Sequence, residues 1–186
     1  MAIVYARDEE EALERARRIF HNLVERGYID YYVLFNEENP VAGKARWGNL
    51  PVVARADSPE GQRLIKEGMD ATWREFKENI TIIRRILNEF SDEEIFEERP
   101  SKLNQIVSEL KNDDDSIRHL SWIRYHLFKC SGYADTHAVW LFDNDGEPIE
   151  NKGHLEDVLN KWNCVHKEKN PYEDLEIFVV PADVHW

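Results

Sequence analysis

The chain has 186 residues, 42% of them hydrophobic and 33% charged, with only 8 Gly and 7 Pro, a composition that suits one domain and excludes a collagen-like, low-complexity or wholly disordered chain. Its 37 acidic and 24 basic residues leave a net charge of −13, which argues against direct nucleic-acid binding, because neutralising phosphates needs clustered Lys and Arg. No run reaches the roughly 18 apolar residues of a transmembrane helix, the first residues lack a signal-peptide pattern, and two cysteines make no disulfide framework, so the expectation is a cytoplasmic chain without a membrane segment.

Residues 2–6 are a short apolar run and read as a strand. Asp8 follows as an N-cap, with Glu11 at the capping-box position. Leu13, Ala16, Ile19, Phe20, Leu23 and Val24 then recur at helical spacing, and Gly27 supplies a stop. Residues 28–35 are apolar and aromatic except for Asp30, which predicts a strand covered on both faces. A loop through Pro40, Gly43 and Gly48 leads to another predicted strand at 51–55.

The stretch 58–131 carries no convincing strand pattern. Ser58-Pro59 opens a helix. Its stripe of Ile65, Met69, Phe76, Ile80, Ile83, Leu87 and Phe90, with Thr72/Trp73 filling the gap, predicts a helix to residue 90 that pairs with another helix or breaks near Asn79. Ser91 and Glu94 form a second capping box, Pro100 ends a short acidic segment, and Asp115 caps a further helix that stops near Gly132.

Mixed structure returns after that. Residues 137–142 read as a strand, Asp143-Asn-Asp-Gly146 as a turn, 147–150 as a partner strand and 153–162 as a short amphipathic helix. Residues 175–180 are a strongly apolar strand that Pro181 closes. The predicted architecture is therefore α+β: a single domain over 1–186, with a mixed sheet built from both chain ends and a helical lobe at 58–131 in the middle.

The charge is uneven. Residues 91–115 hold 9 acids against 3 bases, and 137–186 hold 11 against 4. The plain reading is a pair of solvated faces. The functional one is docking onto a basic protein partner, with Asp92, Glu93, Glu94, Glu97 and Glu98 spaced about one helical turn apart. By contrast, the 18 positions 39–56 hold no acid but contain Lys44, Arg46 and Arg55. Gly43 and Gly48 bracket a Lys-Ala-Arg-Trp segment, so Lys44, Arg46, Trp47 and Arg55 are candidates for holding an anionic or planar ligand by bidentate pairing and stacking. The glycine spacing resembles a P-loop, but Asn49-Leu50 stands where Lys-Ser/Thr would reach phosphate and magnesium, so no nucleotide hydrolase is expected.

Eight of the nine Cys and His residues lie between 119 and 185. His126, Cys130, Cys164 and His166 are a conceivable tetrahedral zinc set, though not at finger spacing. Cys130, Asp135 and His137 are a conceivable nucleophile, orienter and base, although Cys130 falls at a helix C-terminus, whose dipole disfavours a thiolate. Asp143-Asn-Asp-Gly146 lacks the remaining ligands of a calcium loop and reads better as a hairpin turn. With no HExxH, GxSxG, GxGxxG or CxxC present, no cofactor or required metal is expected. Two function classes stand. The first is an interaction protein docking through its acidic surface. The second is a small-molecule-binding protein or enzyme whose anionic substrate sits on the basic loop, with His137 as first choice for proton handling. Enzymatic status and oligomeric state are left open.

Overall fold

A computed structural model describes residues 1–48, 50–89, 91, 139–161 and 171–185. The fold is α+β, and its chain separates into two compact units, 1–71 with 139–186 and 72–138. The first unit holds strand β1 (Ala2–Ala6), helix α1 (Glu9–Glu25), strand β2 (Tyr31–Leu34), a single helical turn α2 (Lys44–Trp47) and the short strand β3 (Ala54–Arg55). It also holds the start of helix α3 (Pro59–Glu89), then helix α4 (Lys152–Leu159) and strands β4 (Glu176–Val180) and β5 (Ala182–His185).

Strands from both chain ends build two antiparallel sheets. Strand β4 lies between β1 and β3, antiparallel to each, while β2 pairs antiparallel with β5. A parallel bridge joins Ala2 to Phe142. All five residues of β1 are buried, as its unbroken apolar run requires. Ala2, Val4 and Ala6 face Ala12, Ala16, Phe20 and Leu23 of α1. Ile3 and Tyr5 face the other way, into a cluster with Leu64 and Ile65 of α3, Leu141, Ile149 and Val158 of α4. The Tyr5 hydroxyl is satisfied there by donating to the Val158 carbonyl at 2.9 Å, which removes the cost of burying it.

The helix caps follow from the sequence. Asp8 Oδ1 accepts from Glu11 N at 2.8 Å, and Ser58 Oγ accepts from Gly61 N at 3.0 Å. Helix α1 leaves through a Schellman turn, Tyr28 N donating to Leu23 O and Gly27 N to Val24 O. The Asp143 carboxylate accepts from the amides of Asp145 and Glu147, both at 2.9 Å, which accounts for the hairpin-type turn.

Among the described residues, the expected strands at 137–142 and 147–150 are reduced to isolated bridges from Phe142 to Ala2 and Pro148, and the expected two-face-buried strand 28–35 to β2, whose Tyr31 is exposed. Helix α3 runs through Asn79 without a break; the Asn79 amide is buried and donates to the Glu75 carbonyl one turn back at 2.7 Å. Within the 72–138 unit, Thr72 rather than Trp73 is buried, and Trp73 is 59% exposed with its ring stacked on Phe76. Pro181 closes β4, as expected, and β5 belongs to a second sheet. The proline ends the pairing with β1, and the chain resumes as β5 alongside β2, because Pro lacks one ladder donor but breaks nothing where the strand changes partner.

Candidate functional site

The β2–β5 ribbon has two unlike faces. Tyr32, Leu34, Ala182 and Val184 pack toward the α1 core. Tyr31, Val33, Asp183 and His185, paired Tyr31 to His185 and Val33 to Asp183, share the opposite face because side chains alternate along a strand. The α2 turn comes down on this second face. Gly43 reaches it at φ 59°, ψ −126°, and a Cβ there would stand 3.0 Å from Val33 Cγ1.

What the turn brings is a set of donors for one buried carboxylate. Asp183, 2% exposed, accepts from Gly43 N at 2.9 Å and from Trp47 Nε1 at 2.7 Å. Arg46 Nη1 lies 3.5 Å from Oδ1, and its guanidinium carbon sits 5.1 Å from the Trp47 ring centroid. His185 Nε2 lies 3.4 Å from Oδ2 but makes no hydrogen bond among the described residues, and its ring stacks on Tyr31 at 4.1 Å. The basic loop thus holds an anion, and that anion is the protein's own Asp183. Lys44 is exposed on the same turn.

Arg55 goes elsewhere. It faces Phe178 in the β3–β4 ladder, so Glu176 is its diagonal neighbour on the same sheet face. Arg55 Nη1 donates to Glu176 Oε1 at 2.6 Å, while Nε and Nη2 donate to the two oxygens of Asp57, each at 3.1 Å. These hydrogen bonds raise the Arg55 pKa and hold Asp57 below the ordinary carboxylate range.

This ion cluster forms the rim of a cleft of about 430 Å³, lined by Arg55, Ala56, Asp57, Leu159, Lys161, Leu175, Glu176 and Ile177. Its volume lies within the roughly 300–1,000 Å³ of small-molecule sites. Local chemistry sets each wall. The first turn of α3 presses onto β3 so closely that a Cβ on Gly61 would stand 1.9 Å from the Arg55 carbonyl oxygen. Lys161 follows the α4 cap in left-handed backbone, φ 58°, a position where glycine is usual. Its ammonium turns back to the carbonyls of Leu175 and Glu173, tying the end of α4 to the approach to β4.

The sequence grouped Lys44, Arg46, Trp47 and Arg55 in one loop; the fold places the first three at Asp183 and only Arg55 in the cleft. Asp57, Lys161, Glu176, Asp183 and His185 were not singled out. An Arg at a short strand beside an Asp two positions on was the available signal for the cleft. The partner candidates Asp92, Glu93, Glu94, Glu97 and Glu98, the catalytic candidates Cys130, Asp135 and His137, and the metal candidates His126, Cys130, Cys164 and His166 lie outside the described residues. Among those described, no group of three or more His, Cys, Asp or Glu side chains could hold a metal ion, and no helix is long and apolar enough to cross a membrane.

Residues 1–101 match the family model described as "Domain of unknown function (DUF7995)". The chain belongs to that family. The match includes α2, Arg55, Asp57 and Gly61, whereas Lys161, Glu176 and Asp183 lie beyond it. No curated protein and no solved structure matches the chain.

Proposed function

We propose that this protein binds a compact, carboxylate-bearing small molecule in the cleft beside Arg55. The observation that carries the reading is the lining itself: an apolar floor of Ala56, Leu159, Leu175 and Ile177 under a rim of Arg55, Asp57, Lys161 and Glu176. An apolar floor supplies burial and a few convergent charges supply orientation. Among the described residues Arg55 makes three side-chain hydrogen bonds, and a guanidinium has five N–H donors, so two of them stay available for a ligand oxygen.

Binding fits the lining better than catalysis. Among the described residues the cleft lining includes no Cys, Ser or His, and Asp57, held ionised by Arg55, is a poor proton acceptor. Thermal shift with a panel of small carboxylates tests the reading. A true ligand at ten times its Kd stabilises the fold by about 1.4 kcal/mol, and Arg55→Gln should abolish that shift. A panel without any Arg55-dependent shift would defeat it.

A second reading, docking on a basic protein partner, is favoured by the concentration of 9 acids against 3 bases in residues 91–115. It concerns a different part of the chain and is compatible with a ligand in the cleft.

A further inference from the structure

We infer that the ligand of the cleft is a zwitterion of the α-amino acid class with an apolar side chain. This rests on the cleft being a ligand site, as proposed above, and names what that site selects. The four charged residues of the rim, two cationic and two anionic, are balanced. A simple anion approaching Arg55 meets two carboxylates already on the guanidinium. It gains two hydrogen bonds but is repelled by Asp57 and Glu176. A simple cation is drawn to those carboxylates and repelled by Arg55 and Lys161. A ligand carrying both charges avoids each conflict.

The hydrogen bonding points the same way. Among the described residues, Arg55 keeps two donors, and Glu176 uses Oε1 toward Arg55 while its Oε2 has no partner. Available donors and an available acceptor therefore belong to two residues in direct contact at 2.6 Å. In an α-amino acid the carboxylate and ammonium are both attached to the α-carbon, so their receptors must also lie side by side. A peptide, whose termini are separated by at least one more residue, does not meet that condition. With the carboxylate on Arg55 and the ammonium on Glu176, the remaining group faces Ala56, Leu159, Leu175 and Ile177. Both charged partners are about half exposed, which leaves the rim open to an incoming headgroup.

Calorimetric titration of the full chain with three probes of one shape decides it: L-phenylalanine, 3-phenylpropanoate, which lacks the ammonium, and 2-phenylethylamine, which lacks the carboxylate. L-Phenylalanine should bind at least about tenfold tighter than either, the value of one charge-assisted hydrogen-bonded contact. Glu176→Gln, a surface change that spares the core, should bring the two affinities together, weakening L-phenylalanine by loss of the ammonium's partner and tightening 3-phenylpropanoate by loss of a repelling carboxylate. Equal binding of L-phenylalanine and 3-phenylpropanoate would overturn the zwitterion while leaving the carboxylate site standing. Equal or tighter binding of 2-phenylethylamine would overturn both. No binding of any probe at millimolar concentration, with the fold intact by circular dichroism, would likewise overturn both.

Discussion

The indole nitrogen of Trp47 donates to the buried carboxylate of Asp183 at 2.7 Å, across 136 residues of chain. That bond, with the one from Gly43 N at 2.9 Å, fastens the α2 turn to the last strand. The half-exposed Trp47 is therefore an anchor as well as a surface aromatic, and its loss has a structural cost that a free loop would not show.

Trp47→Phe should keep the ring and delete the donor, leaving the Asp183 carboxylate short of one hydrogen bond at a cost of about 1–3 kcal/mol. Asp183→Ala should cost more, since the amide of Gly43 and the indole N–H both lose their acceptor. Arg46→Ala, whose contact is 3.5 Å long with a side chain 50% exposed, should cost under about 1 kcal/mol. Urea unfolding of the three variants gives the order directly; equal stability of Trp47→Phe and wild type would show that the anchor is not made in solution.

Two glycines should respond in a graded way. Gly43 and Gly48 have nearly the same backbone, φ 59° and 67° with ψ −126° and −116°, so Ala at either meets similar strain, about 1–3 kcal/mol. At Gly43 the new Cβ also stands 3.0 Å from Val33 Cγ1, whereas at Gly48 it meets nothing within 4 Å. Gly43→Ala should accordingly be the more destabilising. A midpoint shift for Gly48→Ala equal to or larger than that for Gly43→Ala would contradict the close approach of the turn to β2.

Gly61→Ala tests the wall of the cleft. Ala in a helix is ordinarily better than Gly by about 1 kcal/mol. Here the methyl would stand 1.9 Å from a backbone oxygen of Arg55, so helix and strand must part. The sign should reverse, with a loss of at least about 3 kcal/mol. Thermal denaturation checks it, and a stabilised variant would refute the packing of α3 on β3.

Glu11 governs an acid-range dependence. Its carboxylate accepts from the Arg7 side chain, the Arg7 amide and Arg15, which lowers its pKa from 4.5 to about 2. A depressed folded-state pKa contributes stability that is complete above the unfolded value and is lost as pH falls through the folded one. The stability difference between wild type and Glu11→Gln should then be constant above about pH 5 and shrink as the pH falls toward 2. Chemical denaturation across that range, or an NMR titration of Glu11, measures it; a midpoint near 4.5 would show that the Arg7 contacts do not persist.

For the acidic segment, replacing Asp92, Glu93, Glu97 and Glu98 by Asn or Gln should slow association with a basic partner and flatten its salt dependence, since exposed charges are screened over about 8–10 Å at physiological ionic strength. Pull-downs at low and moderate salt compare the two chains, and identical partners for both would end the docking proposal.

Much of the local structure was legible from residues alone. The caps at Asp8 and Ser58, the stop at Gly27, the turn at Asp143-Asn-Asp-Gly146 and the buried run of β1 each depend on neighbours within about five residues, and short-range geometry is what a residue pattern encodes. The α+β class followed from where strand and helix periods alternate. The basic segment 39–56 was visible as a charge anomaly, but its division was not. Arg55 meets Glu176 across 121 residues and Trp47 meets Asp183 across 136. Strand register chose those pairs: β4 lies beside β3 and β5 beside β2, and Pro181 marks the change of partner between them. Periodicity says that Asp183 and Val184 point to opposite faces, but only the sheet pairing decides which donors each face will meet.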